Sequence, residues 1–176
     1  MTSLNKGTRK VEVKLKWDPS PLGAPASDLD IIAATYQAND PHGSPAYLVH
    51  FGSRSPDGTI TLNRDSVNGK GLGWDEVMTL ELDRLSPSYA RVVVGVAIQQ
   101  TGGRMTFDDI AHPASLIQTG YTELSKSDFS GVAGSTAATI AEFARHGSEE
   151  WEFHPTVRGF DADPEDFAQL MGSRPS

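Results

Sequence analysis

At 176 residues, with 15 Lys and Arg against 23 Asp and Glu and a formal net charge of −8, the chain has the size of one ordinary domain and is strongly acidic. That balance repels nucleic acid and anionic membranes and favours cations or basic partners. The absence of cysteine excludes disulfides, thiolate metal sites and a cysteine nucleophile.

The opening "MTSLNKGTRKVEVKLKW" alternates charge with apolar residues and lacks the apolar run of a secretory signal. The longest apolar run, "VVVGVAI" at 92–98, falls far short of the roughly 20 residues that cross a bilayer. A cytoplasmic location is the expectation. In "VEVKLKW", Val11, Val13, Leu15 and Trp17 share one face and Glu12, Lys14 and Lys16 the other, the pattern of a half-buried antiparallel strand. "DIIAATY" (30–36), "YLVHF" (47–51) and "VMTLELD" (77–83) continue the strand signal, the last with Met78, Leu80 and Leu82 facing the core. Between them, Pro56 presets φ and Gly58 takes the positive φ that follows, so 55–58 reads as a turn joining two strands. "ARVVVGVAIQ" (90–99) is apolar on both faces, as a central strand is.

Farther along, "TFDDIA" (106–111) reads as a short helix capped by Thr106, with Asp108 and Asp109 near its positive end. "STAATIAEFARHG" (135–147) is ambiguous. Its alanines and terminal Gly147 favour a helix, yet Thr139, Ala141 and Phe143 also share one strand face. "EEWEFHPTV" (149–157) alternates as a strand with Pro155 at an edge or end. "DADPEDFAQLMG" carries an Asp163 cap, Pro164 at the first helical position, and Phe167, Leu170 and Met171 on one side, the signature of a docking helix. Short strands at this spacing predict a mainly β fold, a two-sheet, mostly antiparallel β-sandwich with one or two short helices. The sandwich domain is expected over 1–162, with a C-terminal helix and tail over 163–176.

The segment richest in chemistry is "RDSVNGKGLGWDE" (64–76). It is no Walker loop, because Lys70 precedes Gly71 rather than Ser or Thr and a strand follows; a dinucleotide fingerprint fails on context. As a cation loop it offers side-chain oxygens from Asp65, Ser66, Asn68, Asp75 and Glu76, and a backbone oxygen at Gly71. It is not an EF-hand, since Val67, Gly69 and Lys70 break the ligand pattern. Upstream, "SDLD" sets Asp28 and Asp30 on one face of a starting strand, where two like charges are costly unless solvated or bridged by a cation. The bland alternative is a solvated, acid-rich turn. His42, His50, His112, His146 and His154 show no zinc spacing, and His146, in the "RHG" turn, reads as a hydrogen-bonding support of the hairpin there. No Gly-x-Ser-x-Gly elbow is present, and nothing asks for catalysis. Trp74 is either an anchor for a protein partner or a ring folded over the sandwich end.

Taken in order, "LNKG", "WD" at 17–18, "SDLD", "FGSRSPDGTI", "DSVNGKGLGWDEVMTLELDRL", "VVVGVAI" and "AEFARHGSEEWEFHPTVRGF" resemble the bacterial TerD family of tellurium-resistance and stress-response proteins. The resemblance implies a calcium-binding β-sandwich, and makes 135–147 a strand in a hairpin with 149–157. It implies Asp28, Asp30, Asp65, Asp75 and Glu76 as metal ligands, with Ser66, Asn68 and Gly71 as further oxygen donors. Departures are Ala26 at the first motif's leading acid, and Lys70, Leu72 and Trp74 at loop positions that carry acids or polar groups. What remains suits one Ca2+ rather than two. The function so implied is a non-catalytic binding module of the tellurite and stress response, regulated by calcium through one remaining site, whose partners are other stress-response proteins. Membrane association is not expected, since nothing apolar and exposed calls for it, although calcium bridging to anionic lipid offers a route. The alternative is a metal-independent structural or scaffold protein that keeps the fold without the ion, Lys70 pairing with carboxylates in its place.

Overall fold

The computed structural model describes residues 9–65, 69–70, 73–147 and 149–174. Its first sheet has the order β4-β5-β1-β7-β8, built from β1 (Lys10–Lys16), β4 (Ile60–Arg64), β5 (Glu76–Glu81), β7 (Ala114–Thr119) and β8 (Thr122–Ser127). The second has the order β10-β9-β6-β2-β3, from β2 (Leu29–Gln37), β3 (Tyr47–Val49), β6 (Tyr89–Ile98), β9 (Ala137–Ala144) and β10 (Glu152–His154). β11 (Arg158–Phe160) also pairs β9. Among the described residues every strand pairing is antiparallel, as the sandwich reading expects.

The alternation in β1 buries Val11, Val13 and Leu15 against Met78 and Leu80 of the neighbouring β5 and, across the sandwich, Ile31, Val92, Val94 and Val96 of the second sheet. β2 and β6 are apolar on both faces for a second reason. Their outward residues Ile32, Ala34, Tyr36, Val93 and Ala97 lie under α1 (Pro164–Leu170), which contributes Phe167 and Ala168, followed by Met171. The helix starts as its sequence requires: the Asp163 carboxylate accepts from Asp166 N at 2.9 Å and Pro164 occupies the first turn. Leu170, expected on the packed side, is instead exposed, because the buried stripe passes through Phe167, Ala168 and Met171. No helix among the described residues is long and apolar enough to cross a membrane.

Residues 137–144 are a strand, so the hydrogen-bonding partners β6 and β10 outweigh alanine's helix propensity. The expected strand over 149–157 is shorter, Glu152–His154, and ends before Pro155. The predicted short helix is a 3₁₀ turn, Phe107–Asp109, in which the Asp109 carboxylate accepts from Thr106 N at 2.9 Å and its hydroxyl at 3.1 Å. The turn at 55–58 exists, with Gly58 at φ 74°, but it carries the chain from β3 in one sheet to β4 in the other. The turn that follows β9 is braced mainly by Arg145. Its guanidinium donates to the carbonyls of Leu85, Ser86 and Tyr89 and stacks on Trp151 at 4.4 Å, while His146 contributes its backbone carbonyl to Glu149 N.

Candidate metal centre

β1 ends, and β2 and β5 begin, at one end of the sandwich. There β3 pairs β2 only over Ala33–Thr35, which leaves the start of β2 without a strand neighbour on that side. Glu76 fills the gap: its Oε1 accepts from Ile31 N at 2.9 Å, so a side chain from the first sheet completes a ladder position of the second. Beside it, Asp30 Oδ2 accepts from the Gln99 amide at 2.6 Å. Asp28, Asp30 and Glu76 form a cluster in which one carboxylate oxygen from each lies within 4.8 Å of the others.

Packing acids together away from water disfavours their charge. Burial, with the charges of Asp30 and Asp65, pushes Asp28 up to about 7. Burial first, then Asp30 and Asp65, pushes Glu76 up to about 11. Asp30 is raised chiefly by burial, against hydrogen bonds that favour its anion. Asp28 Oδ1 and Glu76 Oε2 are enclosed and have no hydrogen-bond donor among the described residues. Oxygen atoms in that condition, on acids that resist ionisation, are what a cation would satisfy. All the donors are oxygen, which suits a hard ion such as calcium and leaves a softer metal without nitrogen or sulfur. The residues present therefore fit the calcium that the resemblance implies.

The other expected ligands are placed differently. Asp65 is exposed and outside the cluster, but its side chain reaches Glu76 and its charge acts on all three clustered acids. Asp75 is buried but outside the cluster; its Oδ2 accepts from Trp17 N at 2.9 Å and its own N–H donates to Leu15 O at 2.8 Å. Asp75 and Glu76 are consecutive at the start of an extended strand, where successive side chains point opposite ways. One secures β1 and the other reaches β2. Ser66, Asn68 and Gly71, like Leu72, lie outside the described residues. Gly69, at φ +73°, packs so closely on Trp17 that a Cβ would stand 2.6 Å from the indole nitrogen, which itself donates to Ser27 O. Trp74 is half-buried, with the Lys16 ammonium 4.9 Å from its ring centre, and borders a groove of about 760 Å³ with Leu116 and Lys126. Sequence reasoning missed Gln99, the donor to Asp30, and Phe51, an exposed ring on the turn after β3. Gln99 lies just past a β-run with nothing to mark it, whereas Phe51 was legible as an aromatic beside a Gly-Ser turn.

A family model described as the TerD domain matches residues 1–170. The chain belongs to the TerD domain family. Tellurium resistance protein TerD of Serratia marcescens is 26% identical over 157 residues, covering 86% of this chain and 81% of that protein. The protein of the same name from an Alcaligenes species matches to the same extent. Among solved structures, a protein of unknown function, SAV2460, superposes with a TM-score of 0.95 at 62% identity, over 97% of this chain and 100% of its own. SCO6318 from Streptomyces coelicolor A3(2), described as a homologue of the telluride resistance protein TerD, gives 0.94 at 57% identity over 96% and 100%. The TerD fold and the chain's homology to tellurium-resistance proteins are thereby established.

Proposed function

We propose that this TerD chain is a non-catalytic, cytoplasmic binding module of the tellurite and stress response, and that one calcium ion orders the end of its sandwich for a partner protein. The observation that carries the reading is the pair of enclosed, donor-free oxygens, Asp28 Oδ1 and Glu76 Oε2, in a three-carboxylate cluster. Asp28 and Asp30 stand at the start of β2 and Glu76 at the start of β5, so an ion held by them ties the two sheets together. When bound, it supplies the positive charge that these buried acids otherwise lack.

The test is to strip the protein with chelator and titrate calcium by calorimetry while following the melting temperature, with magnesium as control. Saturable binding is expected, and calcium at about 100 times its Kd adds about 2.7 kcal/mol of stability. No heat and an unchanged melt would overturn the reading. One observation favours the metal-independent scaffold: Asp75, the buried acid of the loop, stands outside the cluster, with Oδ2 on the Trp17 backbone and Oδ1 enclosed without a donor among the described residues. Under that reading wild type binds no calcium, and acids placed at Lys70, Leu72 and Trp74 create the affinity.

A further inference from the structure

α1 covers the outer face of the second sheet only in part. Beside its first turn, an open groove of about 520 Å³ runs between the helix, β2 and the turn that follows β3. Ile32 and Leu48 form its apolar floor, and Phe51, 60% exposed, stands along one side. Asp30, Asp163 and Glu165 line it, and among the described residues no Lys or Arg does. The neighbouring His50 adds no charge at neutral pH, because burial holds it below its ordinary range. Asp163 caps α1 and Asp30 accepts from Gln99, which leaves Glu165 as the groove's carboxylate without a hydrogen bond among the described residues; with an exposed aromatic ring and an aliphatic floor it is the complement of a cation on a long apolar stem.

We propose that this groove receives an Arg or Lys side chain from a basic segment of a partner protein. The stem lies along Ile32 and Leu48, the charged head meets the carboxylates, and the face of Phe51 adds a cation–π contact. The chain's net charge of −8 steers such a segment inward. This interaction requires no metal ion and goes beyond the calcium reading.

The test uses the full chain, isotopically labelled, in chelator at low ionic strength, titrated with a hexa-arginine peptide and with hexaglutamate as control. Saturable amide shifts confined to 48–51, 99–101 and 163–169 are expected with hexa-arginine alone. Phe51→Ala and Glu165→Gln, both surface changes, each weaken binding about three- to tenfold, the scale of exposed cation–π and ion-pair contacts. Tyr121→Ala and Glu123→Gln, at an exposed aromatic and an exposed acid elsewhere, leave it within about twofold, well under the loss from one such contact. Shifts scattered over the acidic surface, equal losses in all four variants, or absence of saturable binding would each overturn the proposal.

Discussion

Glu76 does two jobs with one carboxylate. One oxygen completes the ladder of β2 through Ile31 N, and the other faces the cluster without a donor. Its pKa, pushed to about 11, and that of Asp28, at about 7, lie above the ordinary carboxylate range. The folded, metal-free protein therefore holds protons that the unfolded chain releases, and the stability these acids contribute is lost as pH rises through the folded values. In chelator the melting temperature should climb as pH is lowered from 8 to 6, and saturating calcium should flatten that slope. Glu76→Gln keeps an acceptor for Ile31 N while removing the need to hold a proton. At pH 8 it should raise the metal-free melting temperature by about 3 °C or more, roughly 1 kcal/mol for a domain of this size, and abolish the calcium response. A lower melting temperature for the variant would show that the acid's burial costs nothing. At this scale the sequence was half legible. It marked Asp28, Asp30 and Glu76, but it could not tell Glu76 from Asp75, because that difference arises only when an extended backbone turns neighbours to opposite sides.

Among elements, those with a strong period were legible: β1, β2, β5 and β6 carry their burial in the spacing of Val, Ile and Leu. β7 and β8 went unread because in "ASLIQT" the buried positions are Ser115 and Ile117, which do not alternate as an apolar pattern, and "TELSKS" has one apolar residue and, among the described residues, pairs as an edge strand with β7 only. β9 was legible only through family resemblance, since a central strand rich in alanine has no local signature separating it from a helix. Of its alanines, Ala137 packs under α1, whereas Ala138 and Ala141 face the core between the sheets; the close contact with the helix falls on the neighbouring β6. Gly95 of β6 lies under Phe167, and a Cβ there would approach the ring at 2.5 Å and Ala138 O at 2.9 Å. Gly95→Ala should cost about 1–3 kcal/mol by overpacking, and adding Phe167→Leu should recover part of it. Denaturant melts of the two single variants and the double variant measure the coupling. Simple additivity would mean that α1 does not rest on this glycine.

For the whole molecule, five of the 23 acids, Asp28, Asp30, Glu76, Asp163 and Glu165, form the cluster or line the groove. The Asp28, Asp30 and Glu76 cluster and the groove beside α1 meet at Asp30, whose carboxylate belongs to the first and lines the second. An ion drawing on Asp30 places positive charge next to the groove and withdraws one of its carboxylates, so calcium and a basic segment oppose each other. Linkage makes the opposition reciprocal: calcium should weaken hexa-arginine binding by about fivefold, and saturating peptide should weaken calcium by the same factor. Asp30→Asn should remove the coupling while the groove, through Glu165 and Phe51, retains a reduced affinity for the peptide. Calorimetric titrations of each ligand in the presence and absence of the other decide the matter. Equal peptide affinities with and without calcium would separate the two sites. A fivefold difference would make the sandwich end a switch whose basic partner is released as calcium rises.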